Sequence, residues 1–422
     1  MRATQISVGN ELLIGETVNT NAVWIGSRLT ELGISCHRVL TIGDDPNAIR
    51  SALDLAFGDS QLVVLTGGLG PTHDDVTKTT IAAYFDVGLV RHEPSHQRIR
   101  RLFQARGIPF SVSNETQADL PANAEALPNS QGTAPGFLIR HKGAALAVMP
   151  GVPREMMAIF SEELTPRVAA LSGAEPLIRH HIQVAGIGES TLSDLVIGDV
   201  ARFLTDGVQL AYLPHTHGIT LRVSHGAVGG SAAARLLTHI RSAAHDHIVG
   251  EGVDASLERT VVESLRSHAI RLATAESCTG GWISNLVTNV PGSSAVFTGG
   301  IVAYDNAVKS GLLDVPEAML AQHGAVSKPV ALMMARMAAS RFGADIGIST
   351  TGIAGPDGGT PDKPVGLVWI GYWSAERHFA VKARFFRDRI LNKERSAVMA
   401  LEIIRRQLAG IRSLPYDLEP ET

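Results

Sequence analysis

Ser277, Cys278 and Thr279 stand together in the stretch Ala273-Thr274-Ala275-Glu276-Ser277-Cys278-Thr279-Gly280-Gly281. Two hydroxyls and a thiol beside a glycine pair offer a nucleophile for acyl transfer. Free backbone N–H groups at a helix start would suit a phosphate or a developing oxyanion. The flanks say which elements must position these groups. Residues 270–273 are a short apolar run, a strand end, and Trp282, Ile283, Leu286, Val287 and Val290 share one face of a helix. An ordinary strand-to-helix turn with a Ser/Thr cap reads the same way. Chemistry therefore needs partners from other segments.

Three such segments exist. Tyr304-Asp305-Asn306 leads into a helix carrying Lys309; a strand runs into Thr350-Thr351-Gly352-Ile353-Ala354-Gly355; and Arg387-Asp388-Arg389 precedes the last helix. A serine attacks only if a base takes its proton. No local histidine motif, G-x-S-x-G or S-x-x-K is present. A desolvated lysine, its pKa lowered by burial, is the economical base, and Lys309 fits, one turn beyond Tyr304 and Asp305. Lysines on helices are otherwise mostly exposed, and tyrosines are mostly core residues. Cys278 competes with Ser277 as nucleophile, since a helix start lowers a thiol pKa.

A second cluster lies near the N-terminus. Asp44/Asp45 and Asp74/Asp75 follow two apolar strands, the second pair beyond the glycine loop of Gly67, Gly68 and Gly70. If the strands are neighbours, the carboxylates converge where backbone N–H groups could hold phosphates, an arrangement for a hard divalent cation and phosphoryl chemistry. The other reading is that these aspartates cap helices. There is no P-loop motif. His215 and His217 have no further ligand in the pattern and read as solvated, and His180 and His181 read as strand-edge residues.

At 422 residues the chain is too long for one core. Apolar strands alternating with helices over residues 4–170 and again after 252 predict parallel sheets covered on both faces, with ligand loops at the strands' carboxyl ends. Pro, Gly and Ser mark boundaries at 171–176 and 249–252, giving domains 1–172, 173–251 and 252–422. The fold class expected is α/β, two doubly wound domains flanking a small α+β middle domain. The last helix is expected over 389–408, followed by a frayed tail. Composition is 45% hydrophobic and 18% charged, with net charge −4 and no sustained Lys/Arg block, so the footprint of a nucleic-acid binder is missing. Two cysteines, Cys36 and Cys278, exclude a disulfide scaffold. The absence of a signal pattern or spanning apolar run points to the cytoplasm, and a homodimer is the default expectation.

Taken together, these motifs resemble the CinA family of competence/damage-inducible proteins across essentially the whole chain. The N-terminal carriers are Gly9-Asn10-Glu11-Leu12-Leu13-Ile14-Gly15, Gly43-Asp44-Asp45 and the 66–77 loop, similar to a molybdopterin-binding-like domain. The C-terminal carriers are the 275–281 turn, Tyr304-Asp305-Asn306 with Lys309, and residues 351–359, similar to a nicotinamide-nucleotide amidohydrolase domain. The middle part resembles a small KH-like domain. The resemblance implies hydrolysis of nicotinamide mononucleotide to nicotinate mononucleotide and ammonia, with no cofactor. Ser277, Lys309, Tyr304 and Thr351 take the catalytic positions. Thr279, Gly280, Gly281, Asn306, Gly352, Gly355 and Arg389 bind substrate, although Arg387 stands where the family would have glycine. For the N-terminal domain it implies a pyrophosphatase of ADP-ribose or a related dinucleotide, with a divalent metal at Asp44 and Asp75.

Overall fold

The computed structural model describes residues 1–72, 75–105, 107–172, 177–385 and 388–421. The chain forms two compact units, Met1–Ile178 and Arg179–Thr422. Asp74, Arg387 and most of the expected boundary at 171–176 lie outside the described residues.

In the first unit β1 (Arg2–Val8), β2 (Ser35–Ile42), β3 (Leu62–Thr66), β6 (Glu125–Leu127), β7 (Gly136–His141) and β8 (Ala144–Met149) form one sheet, order β2-β1-β3-β8-β7-β6. The short pair β4 (Leu89–Arg91) and β5 (Asp119–Pro121) stands apart. β2, β1, β3 and β8 run parallel, β7 is antiparallel to β8, and β6 is antiparallel to β7 and so runs the way of β8. β3 is buried throughout because both faces are covered. Val63 and Leu65 pack with Ile6, Ile49 and Leu53, while Leu62 and Val64 pack with Ile25, Leu29 and Phe160. The condition placed on the acidic pairs fails, because β1 lies between β2 and β3.

The second unit holds two sheets. β9 (Ile178–Val184), β10 (Gln209–His215), β11 (Gly218–His225) and β12 (Ile248–Glu251) are ordered β10-β11-β9-β12, with a helix Gly230–Ala243. The expected linker at 249–252 is largely strand, since Ile248, Gly250 and Glu251 pair with β9. β9 is interior, not an edge, and His180 stacks on His225 with ring centroids 5.4 Å apart.

The other sheet contains β13 (Leu272–Glu276), β14 (Phe297–Val302), β15 (Ile346–Gly352), β16 (Leu367–Trp373) and β17 (His378–Arg384), order β14-β13-β15-β16-β17. β13 runs parallel to both neighbours, and β16 and β17 alternate antiparallel, so β17 again points the way of β15. The carboxyl ends of β13, β14, β15 and β17 therefore share one edge. Helix Lys328–Phe342 lies so close to the sheet that a Cβ on Gly347 would stand 1.9 Å from the Ala335 carbonyl oxygen. The last helix, Arg389–Leu408, covers another part of the sheet and matches the expected bounds. The tail is not frayed: Leu414 is buried and Glu421 pairs with Ala380. Among the described residues no helix is long and apolar enough to cross a membrane.

Candidate active site

β13 ends in Glu276, a fully buried carboxylate. Its Oε2 accepts hydrogen bonds from the backbone N–H groups of Gly281 and Ile283, each 3.0 Å, and its Oε1 from the Ser284 N–H at 2.8 Å and Oγ at 2.7 Å. The acid thus caps helix Trp282–Thr288 from inside and closes the turn on which Ser277 rides. Gly280 and Gly281 permit the turn, with φ of 64° and 95°. The same bonds correct an expectation. The Gly281 N–H is spent on Glu276, and the Gly280 N–H donates to the Ser277 carbonyl at 3.2 Å, so neither is left for substrate. The N–H groups of Cys278 and Thr279 donate to no other described residue, that of Cys278 facing only its own thiol. Thr279 is buried, and its hydroxyl is bonded to that of Thr350 at 2.7 Å.

Beyond β14, Asp305 caps helix Asn306–Leu313 through the Ala307 N–H at 2.7 Å. This puts Lys309 on the inner face, 1% exposed. Lys309 Nζ donates to the carbonyls of Ala303 at 2.8 Å and Tyr304 at 3.2 Å. Burial lowers its pKa below the usual lysine range, partly opposed by Asp305 and then Cys278. Burial also pushes the Cys278 thiol up to about 12. The neutral thiol is therefore a poor nucleophile.

Ser277, Tyr304, Asn306, Lys309, Thr351, Gly352 and Arg389 line one cavity of about 190 Å³ with Cys278, Ala325, Val326 and Ala354. Ser277 Oγ has no hydrogen-bond partner among the described residues, and Lys309 Nζ, in the same cavity, is not bonded to it. Thr351 Oγ1 donates to the Ala325 carbonyl at 2.8 Å. Arg389 bridges two loops, donating to the Gly355 carbonyl at 2.7 Å and to the Tyr304 hydroxyl at 2.9 Å. Gly280, Gly281, Thr279 and Gly355 support the cavity's walls without lining it. Sequence reasoning missed Glu276 as a cap, and it missed Asn392, whose side chain donates to the Ala354 carbonyl at 3.0 Å. An acid closing an apolar strand just before a Gly-Gly helix start was the available signal for Glu276.

At the other candidate site, Asp44 Oδ2 accepts from the Asn10 N–H at 3.0 Å and Asp75 Oδ2 from the Thr72 N–H at 3.0 Å. Asp45 caps its helix through the Asn47 and Ala48 N–H groups, as the plainer reading had it. Gly67 and Gly68 have φ of 106° and 64°, and a Cβ on Gly68 would meet the buried, unpartnered hydroxyl of Thr77 at 2.1 Å. Among the described residues no three His, Cys, Asp or Glu side chains group to hold a metal. Of Asp44 and Asp75, only Asp75 is placed against the glycine loop, where a Cβ on Gly70 would stand 2.4 Å from its Oδ2; a carboxylate there suits a hard ion that draws its other ligands from phosphate and water.

A parallel-centred α/β unit, a small α+β sheet and a second α/β sheet with its cavity on one edge make a mixed α/β protein whose first part is molybdopterin-binding-like. Residues 4–170 match the probable molybdopterin binding domain, 179–250 the damage-inducible protein CinA KH domain and 254–408 the CinA C-terminal domain. A CinA-like protein of Salinibacter ruber is 44% identical, covering 97% of this chain and 100% of its own. One from Chloroherpeton thalassium is 43% identical, covering 97% and 99%. The solved structure of CinA from Thermoplasma acidophilum is 36% identical over 39% of this chain and 96% of its own, with a TM-score of 0.37. The chain belongs to the CinA family.

Proposed function

We propose that the cavity at Ser277 hydrolyses the carboxamide of nicotinamide mononucleotide to nicotinate mononucleotide and ammonia. The observation that carries this is Lys309, buried in the cavity that Ser277 enters, with two carbonyls taking its N–H groups. A neutral amine has two N–H bonds and one lone pair. With both N–H groups committed to Ala303 and Tyr304, the lone pair is left to accept the Ser277 proton. Ser277 Oγ then bonds the amide carbon while its proton passes to Lys309. The oxyanion is held by the Cys278 and Thr279 N–H groups, and losing one such donor typically costs about 3 kcal/mol. Lys309 returns the proton to the departing nitrogen, the C–N bond breaks and ammonia leaves. Water then attacks the ester carbon as Lys309 takes its proton, and Lys309 returns that proton to Ser277 Oγ as the C–O bond breaks, freeing the carboxylic acid. Asn306, Gly352 and Arg389 orient the ring and ribose.

The first unit acts as a pyrophosphatase of ADP-ribose or a related dinucleotide. Gly67, Gly68 and Gly70 shape the loop that takes the phosphates, and Asp44 and Asp75 would hold a divalent ion, which supplies charge neutralisation. Both activities are tested on purified full-length protein, by ammonia release from the mononucleotide and AMP release from ADP-ribose with and without magnesium. Ammonia release by Ser277→Ala at the wild-type rate would remove Ser277 as the nucleophile, and no ammonia from the wild type would end the amidase reading.

A further inference from the structure

We propose that Lys393 recognises the substrate's phosphate and so makes the cavity selective for a pyridine mononucleotide over its nucleoside; this rests on the amidase reading above. Lys393 lies one turn after Arg389 on the last helix, on the face turned to the Ser277 turn. A Cβ placed on Gly280 would stand 3.5 Å from its Nζ. The ammonium lies over the Trp282 ring, 5.7 Å from the centroid, which fixes its place beside the turn.

What singles Lys393 out is that its donors are unspent. It is half-buried and makes no hydrogen bond or ion pair with a described residue. The neighbouring acids are engaged elsewhere: Glu394 accepts from Thr216 and His217, Asp388 from the Leu391 N–H, and Glu276 from the turn. Other features of this end of the sheet are already committed. The start of helix Trp282–Thr288, otherwise a natural phosphate seat, is filled by the Glu276 carboxylate. Arg389 has N–H groups committed to Gly355 and Tyr304. Lys309 is buried and donates to two carbonyls. Lys393 does not itself line the cavity but stands against Gly280, three residues past Ser277, so a dianion that projects from the cavity over this turn finds in it a fixed cation with three free N–H groups.

The test compares wild type, Lys393→Ala and Lys393→Arg as full-length proteins. Nicotinamide mononucleotide and nicotinamide riboside are the ligands, and affinity by calorimetry, KM and kcat are the readouts. Loss of Lys393 should weaken the mononucleotide by about ten- to hundredfold, the range of a charge-assisted hydrogen bond. The loss should fall in Kd and KM while kcat and riboside affinity hold, and Lys393→Arg should restore most of it. An equal loss for both ligands, or none for the mononucleotide, overturns the proposal. If wild type binds the mononucleotide but frees no ammonia, the amidase reading falls and the affinity ratio still decides Lys393. Binding of neither ligand ends both.

Discussion

Lys309 is useful as a base only while it is uncharged, and its burial sets when that is so. The pKa of the buried amine is lowered first by desolvation, with Asp305 pulling the other way. The neutral fraction therefore grows as pH rises through a value below lysine's ordinary ~10.4. The logarithm of kcat/KM for ammonia release should climb with pH through that lowered value and then level. Lys309→Ala should lower kcat by about 10²–10⁴, the usual worth of a positioned base, and flatten the climb. An unchanged profile in Lys309→Ala would make Lys309 a structural residue. Cys278 gives the converse expectation. With its thiol pushed up to about 12, Cys278→Ala should keep activity within a few-fold, and iodoacetamide at neutral pH should not inhibit the wild type. That Ser277 and Lys309 belong to one cavity was legible in the sequence, because a hydroxyl at a helix start asks for a desolvated amine from another segment. The place of Lys393 was not, since an unpaired lysine and a solvated one look the same until the side chains around it are placed.

The element that matters most is the turn between β13 and helix Trp282–Thr288, and it is held by a side chain with no direct place in the reaction. Glu276, itself fully buried, satisfies the N–H groups of Gly281, Ile283 and Ser284, of which that of Ile283 belongs to a buried residue and the other two to half-buried ones. Glu276→Ala should leave these donors orphaned. A cost of about 1–3 kcal/mol for each buried unsatisfied group predicts a drop of several kcal/mol in unfolding free energy, measured in urea. Glu276→Gln should recover part of it, because a carboxamide oxygen still accepts while its NH₂ faces donors. Equal stability of Glu276→Ala and wild type would mean the helix start is reached by solvent. Element boundaries were legible where caps and periodicity agreed, as at Asp388 before the last helix, where its side chain accepts from the Leu391 N–H. They were not legible where pairing decides: Gly250 and Gly252 read as a linker, yet a partner strand turns residues 248–251 into β12. Sheet order was likewise hidden, since nothing in the apolar runs at 35–42 and 62–66 says that β1 separates them.

At the scale of the second unit, the last helix joins the sheet that carries the Ser277 cavity to the small α+β sheet through buried charge. Glu402 accepts from Arg405 Nε at 2.7 Å and Arg406 Nε at 2.8 Å, all three side chains nearly inaccessible. The arginines then reach across, Arg405 to the carbonyls of Asp246 and Ile248 and Arg406 to His247 Nδ1 at 3.0 Å. Removing the shared acid leaves two buried cations uncompensated, so Glu402→Leu should lose about 3–5 kcal/mol and split one unfolding transition of residues 179–422 into two. The groups facing His247 are Arg406, Glu402 and Asp246. Burial first, and Arg406 second, hold its pKa below the ordinary histidine value. The unfolded chain therefore binds more protons near that residue, and stability is fully present above about pH 6.5. It should fall as pH drops through the lowered folded value, because a protonated ring cannot accept from Arg406. His247→Gln, whose side-chain oxygen can still accept, should make unfolding free energy less steep with pH below about 6.5. If the slope in wild type and His247→Gln is the same, His247 does not carry the pH dependence of this junction.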